Sequence, residues 1–261
     1  MSQAAESSKL KDAPLVYVLA QVRYSPILSM EKYIPDIQER VRKIFPKYRK
    51  AVLQSLTVGA GDQAPDLSKV DRWEFSNKDS DTGFVIQADS FVFHTTNYNK
   101  FEDFIEQFKF TLTHVQDAID VSLVERIGLR YVDAIEPKAG EELGGYMVPG
   151  LYGFPLAELN AGMLISHTEA VAKTEVGTLI LKATQKRDNR VLPPDLSPVG
   201  ITVRRSIPDD RPTAIIDFDH YCEQSVDFAV DEIIKKITQL HDVTSIAFRA
   251  TITDHAVQQW S

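Results

Sequence analysis

Cysteine is almost missing from this chain. Cys222 stands alone, so no disulfide can close within the molecule and no thiolate cluster can hold zinc. Positive charge is in deficit as well: 29 Lys and Arg against 37 Asp and Glu leave a net charge of −8. That field opposes nonspecific binding to nucleic acid or anionic lipid, although a local basic patch could override it. No apolar run is long enough to span a bilayer, and residues 1–14 have no apolar stretch of the signal-peptide kind, so a cytoplasmic location is expected. Familiar catalytic signatures are absent too. The six histidines show no metal-binding spacing, and there is no phosphate-binding glycine loop, no dinucleotide fingerprint and no nucleophile elbow. Gly144-Gly145, in GEELGGYMVPG, follows no clear strand and reads as loop. These absences do not exclude an enzyme with an unfamiliar site, and no cofactor is called for.

What is present describes a folded chain. Its 261 residues, 43% of them hydrophobic, suffice for a substantial core. Residues 1–13 read as a disordered tail, 14–137 as an N-terminal half, and 138–261 as a C-terminal half packed with the first into one globular unit. LVYVLAQVRY (15–24) is apolar on both faces, as an interior strand is. Ile34, Ile37, Val41 and Ile44 repeat at helical spacing over 34–45, with Pro35 in the first turn and Pro46 as the stop. Strands are predicted at 51–58, 72–76, 84–88 and 91–95, a loop at 60–69, and a hairpin turn at 77–83. The clearest helix covers 100–119, where Phe101, Phe104, Ile105, Phe108, Leu112, Val115 and Ile119 form one stripe. Asn99 and Glu102 there have the spacing of a capping box.

In the second half, 163–173 and 177–187 read as a hairpin, 188–198 as a proline-rich loop, and 200–206 and 213–221 as strands. Ser225 is expected to cap a helix carrying Val226, Val230, Ile233, Ile237 and Leu240. The segment 244–260 is ambiguous: Ile246, Phe248, Ala250 and Ile252 alternate like a strand, and Thr253 could cap a last short helix. FVFHTTNYNKFEDFIEQF and IIDFDHYCEQSVDFAVDEI share a strand, turn and helix order, which raises an internal duplication. The fold class expected is α+β, with a mixed, largely antiparallel sheet and helices on one face, the 100–119 and 225–240 helices sharing that side.

Three groups of residues could carry chemistry. Arg126 and Arg130 lie on one face of the strand VERIGLRYVD, separated by Gly128, a spacing that could hold a carboxylate or phosphate between two guanidiniums; structural pairing with carboxylates is the competing explanation. Asp217 and Asp219 share a face and could meet one hard cation, but no third ligand has recognisable spacing, and a half-exposed strand with Ile216 and Phe218 inside is the better explanation. Arg40, Arg42, Lys43, Lys47, Arg49 and Lys50 form a basic cluster that is either a patch for nucleic acid or an acidic partner, or a solvated helix face.

PLVYVLAQVRYSP, a helix ending in IFP, WEFS, YNKFEDF and ERIGLRYVD occur in that order. This combination resembles a sporadically distributed bacterial family of about this length whose members have no assigned function. The likeness covers residues 14–133 well and the later half more weakly. It implies a stand-alone bacterial cytoplasmic protein and supplies no reaction and no catalytic residues. The function expected is therefore a non-catalytic binding or regulatory protein, partner-neutralising or defence-associated in kind, its partner a protein that could include a second copy of the chain. The alternatives are an enzyme acting on a phosphorylated or carboxylated small molecule through Arg126 and Arg130, and a nucleic-acid binder using residues 40–50.

Overall fold

The computed structural model describes residues 10, 12–57, 66–153, 162–196, 198 and 200–261. The expected tail thus falls almost wholly outside the described residues, as does the expected loop at 60–69 up to residue 65.

Among the described residues nine strands form one sheet: β1 (Leu15–Tyr24), β2 (Lys47–Thr57), β3 (Asp66–Ser76), β4 (Thr82–Gln87), β5 (Ser90–Thr95), β6 (Leu123–Ile135), β7 (Ser166–Lys173), β8 (Thr178–Lys186) and β9 (Thr213–Asp227). Their order is β2-β3-β4-β5-β1-β6-β9-β8-β7, and every described pair is antiparallel. The helices α1 (Ile34–Val41), α2 (Phe101–Ile119), α3 (Val230–Thr251) and α4 (Asp254–Trp260) pack on one face. The fold is α+β, as the sequence patterning indicates.

The two halves repeat one plan. Each opens with a central strand, β1 or β6, crosses over, and returns as an antiparallel meander whose last strand pairs with the opener; a long helix follows. Reading outward from the β1–β6 pair gives β5, β4, β3 on one side and β9, β8, β7 on the other, with β2 as the extra strand of the first half. The second half is thus a topological echo of the first about an axis through the β1–β6 pair. A helix that follows corresponding strands of such a repeat lands on the same side, which is where α2 and α3 meet.

Period-two alternation decides which residues enter the core. Val18, Ala20 and Val22 of β1 and Ile127, Leu129 and Tyr131 of β6 face the helices and are buried. Against them α2 brings Phe104, Phe108, Leu112, Val115 and Ile119, and α3 brings Ile233, Ile237 and Leu240. Phe75 and Phe84 stack at 4.6 Å, Phe45 meets Phe84 edge-on at 5.2 Å, and Phe93 lies 5.4 Å from Phe104. A second helix-side core gathers Ile135, Tyr146, Ile216, Phe218, Ile252 and Trp260. The far face is partly covered by the described residues of 187–212, which set Val191, Ile201 and Ile207 on Tyr17, Val132 and Ile215.

The joint between α2 and β6 is short because side chains close it. Asp120 ends the helix in the left-handed region at φ 49°, tolerable for Asp. The Gln116 amide accepts from the Val121 N–H at 3.2 Å and donates to its carbonyl at 2.9 Å.

Several local expectations are corrected. α1 ends at Val41, and β2 begins at Lys47. Residues 66–69, expected as loop, belong to β3. The N-cap of α2 is Lys100, without a side-chain cap, and Asn99 instead donates to Asp103 at 3.0 Å. Residues 200–206 join no strand ladder, because they run over the sheet face; Thr202 bonds outward to Ser80 and Thr96. Ser225 and Val226 extend β9, where Val226 pairs with Val124 of β6 past an irregularity in register, and α3 starts at Val230. Ile246 to Ile252 do not form a strand: α3 continues to Thr251, with Ile246 outward and Phe248 on the core. Thr253 caps α4 through the Ala256 N–H at 3.1 Å.

Candidate functional site

The two central strands put the sequence-selected arginines on the face opposite the helices. Arg126 sits across from Arg23 and Glu223, and Arg130 across from Leu19 and Asp219. A cleft of about 540 Å³ opens above them, floored by Tyr17, Leu19, Gln21, Arg126 and Arg130 and bordered by Arg72, His94, Asp89 and the 188–198 loop through Asp195 and Leu196.

Arg130 is held on both sides. Its Nε and Nη2 donate to the two oxygens of Asp217, each at 2.7 Å, a fork-to-fork pair. Its Nη1 and Nη2 donate to Asp195 at 2.7 and 3.2 Å. Asp217 is 3% exposed, whereas Asp195 is 59% exposed and reaches in from the loop. Burial works against the charge on Arg130, but its hydrogen bonds to Asp217 and Asp195 outweigh it and raise its pKa. The same bond from Arg130 lowers that of Asp195.

Arg126 is held more loosely. Nη1 donates to the Gln21 amide oxygen at 2.5 Å, Nη2 reaches Asp219 only at 3.4 Å, and the guanidinium lies 4.3 Å from the Tyr221 ring centre. Gly128 makes that pose possible, because a Cβ there would stand 2.8 Å from Arg126 Nη1. Arg72 gives its Nε–H to the buried Glu74 at 2.9 Å. His94 is buried, with Nδ1 at 2.8 Å from the Tyr17 hydroxyl and Nε2 without a partner among the described residues. Burial, assisted by the Arg72 charge, lowers its pKa to about 3, so the imidazole is neutral. Asp219 is shifted upward by burial, with Arg126 and Arg130 opposing.

Asp217 and Asp219 share a face, as their spacing requires, but each faces an arginine, and among the described residues no cluster of three metal-ligating side chains occurs. The basic cluster is divided and largely neutralised. Arg40 pairs with Asp36 and Asp117, Arg42 with Glu39, Arg49 with Glu74, and Lys50 with Glu31 and Asp71, while Lys47 donates to Ser80. Pro46 breaks the run, so Arg40, Arg42 and Lys43 leave with α1 and its following turn, while Lys47, Arg49 and Lys50 alternate across β2. Residues that sequence reasoning missed are Arg72, His94, Gln21 and Asp195, which come from three strands and a loop; no spacing links them.

Among the described residues no helix is long and apolar enough to cross a membrane. No protein-family model matches the chain, and no curated protein matches it.

Proposed function

We propose that the chain is a non-catalytic binding protein whose sheet-face cleft takes a small anionic molecule bearing a carboxylate or phosphate. The observation that carries this reading is the unequal pairing of Arg130. Its inner edge is locked to buried Asp217, while its outer edge is occupied by Asp195, an exposed loop carboxylate standing where a ligand anion would sit. Arg126, loosely held beside it, and Arg72 supply further positive charge. A carboxylate or phosphate entering the cleft would replace Asp195 on the outer edge of Arg130 and draw Arg126 from its 3.4 Å contact.

Titration calorimetry with citrate, succinate and inorganic phosphate tests the reading. Asp195→Ala removes the internal competitor and is expected to tighten binding of the effective probe by roughly tenfold. Gly128→Ala pushes the Arg126 guanidinium aside and is expected to weaken it by a similar factor while the chain stays folded, since the clash is with a flexible side-chain end. Binding unchanged by both variants, or no binding of any of the three probes, sinks the proposal.

A protein partner is supported by a different observation. β7 is an edge strand, exposed along most of its length, with Val171, Leu164 and Ile165 each more than 60% exposed on or just before it. A second copy pairing β7 with β7 would cover that edge. Light scattering should then show a dimer that Val171→Lys dissociates; a monomer at all concentrations removes this reading. The nucleic-acid reading has less to support it once Arg40, Arg42, Arg49 and Lys50 are paired with carboxylates. The family resemblance and the cytoplasmic location belong to the same proposal, and the resemblance motifs fall in order on β1, the turn after α1, β3, α2 and β6.

A further inference from the structure

On the helix side, between the two cores, lies a second cavity, of about 310 Å³. Tyr131, Asp133 and Phe218 form its floor, Tyr98 and Asn99 before α2 form one wall, and Leu15 and residues of the N-terminal segment close another. The remaining wall is a single stripe of α3, His241, Thr244, Ser245, Phe248 and Arg249, at the helical spacing that upstream carries the apolar Ile233, Ile237 and Leu240. The helix face thus changes from apolar to mixed where it crosses the cavity.

Two opposite charges meet this space unsatisfied. Asp133 is 3% exposed, and among the described residues nothing donates a hydrogen bond to its carboxyl. The Arg205 charge acts on it without a hydrogen bond, while Asp217 repels. Arg249 Nη1 is buried and has no partner among the described residues. The two are not paired with each other. Buried polar groups left in this way are costly unless something fills the space between them. Other polar groups are already engaged: the Tyr131 hydroxyl with His241 Nδ1 at 2.8 Å, and Thr244 with the Leu240 carbonyl at 2.7 Å. Phe218, Phe248 and Leu15 supply apolar wall.

We propose that this cavity binds a small zwitterion with an apolar side group, an α-amino acid in chemical class, its ammonium on Asp133 and its carboxylate on Arg249. One such molecule satisfies both orphaned groups, and its side group lies on the phenylalanines. The volume lies at the small end of ligand pockets, in keeping with a molecule of this size. The site is separate from the sheet-face cleft, which lies across the sheet, so either can fail without the other.

The test is calorimetry on the full chain with L-phenylalanine and L-leucine as zwitterions, phenethylamine lacking the carboxylate, and 3-phenylpropionate lacking the ammonium. At least one zwitterion should bind, with the corresponding half-molecules weaker by roughly tenfold or more. Asp133→Asn should weaken the zwitterion and the amine but not 3-phenylpropionate; Arg249→Gln should weaken the zwitterion and 3-phenylpropionate but not the amine. Should a variant fail to fold, the parent chain's ranking of the probes still decides. No zwitterion binding at millimolar concentration, or half-molecules as tight as the zwitterions, overturns the proposal.

Discussion

Arg130→Ala is expected to destabilise the chain by about 3–5 kcal/mol, much more than a typical surface substitution. The loss comes less from the attraction removed than from what stays behind. Asp217 is almost fully buried, and its two oxygens are matched by the Nε and Nη2 hydrogens of Arg130. Without the guanidinium that carboxylate remains charged in a poorly solvated place between β6 and β8. Asp195, being exposed, relaxes into water and adds little. Replacing both members of the inner pair, Arg130→Met with Asp217→Leu, should recover most of the loss, because the penalty belongs to the stranded charge. Urea unfolding of the parent, the single variant and the double variant measures this. If Arg130→Ala unfolds at the parent's midpoint, the inner pair is not a structural element of the sheet. The ligand arm is separate: Asp195→Ala should change binding with little change in stability, so the two edges of one side chain carry two roles.

Two buried groups should tilt stability with pH in opposite directions. The native chain holds His94 without a proton, its pKa lowered from 6.5 to about 3 by burial and by Arg72. It holds Asp133 protonated over much of the acid range, its pKa raised from 3.8 to about 7 by burial and by Asp217 against the pull of Arg205. For His94 the unfolded chain binds the extra proton, so its contribution is fully present above pH 6.5 and is lost as pH falls toward 3, with a ceiling of about 5 kcal/mol. For Asp133 the native chain binds the extra proton, so its contribution is fully present below pH 3.8 and is lost as pH rises toward 7, with a ceiling of about 4 kcal/mol. Between pH 3.8 and 6.5 folding transfers one proton's worth of binding from the histidine to the aspartate, and the two slopes cancel. Single variants should uncover them. Relative to the parent, Asp133→Asn should gain stability as pH rises through that window, and His94→Gln should gain as pH falls. Urea unfolding across the window, read as variant minus parent, checks both signs; a difference that is flat with pH removes the group concerned.

Much of the fold was legible because local chemistry determines it. The alternation of β1, the stripe of α2, the turn at 77–83 and the β7–β8 hairpin follow from side-chain period and turn residues, which neighbours in sequence set. Misreadings fell where a distant partner decided. Ile246, Phe248, Ala250 and Ile252 alternate well enough for a strand, but the stripe of Ile233, Ile237 and Leu240 carries α3 on to Thr251, with Phe248 on the core. Residues 200–206 have strand-like composition but lie over the sheet face beside Ser80 and Thr96, where β4 and β5 are already paired on each side.

The sites divide in the same way. Sequence alone placed Arg126, Gly128 and Arg130 on one face and Asp217 with Asp219 on another strand's face, because strand period is local. It also supplied the net charge and the absence of disulfides and familiar catalytic motifs. Only tertiary structure joined β6 to β9 in the register that sets Arg130 beside Asp217, and only it brought Asp195 in from the loop. The helix-side cavity was wholly invisible beforehand, since Asp133 and Arg249 are far apart in the chain and meet one space only because α3 crosses the sheet between two cores. Pairing and burial depend on what stands opposite a side chain, and in this sheet what stands opposite comes from the other half of the chain.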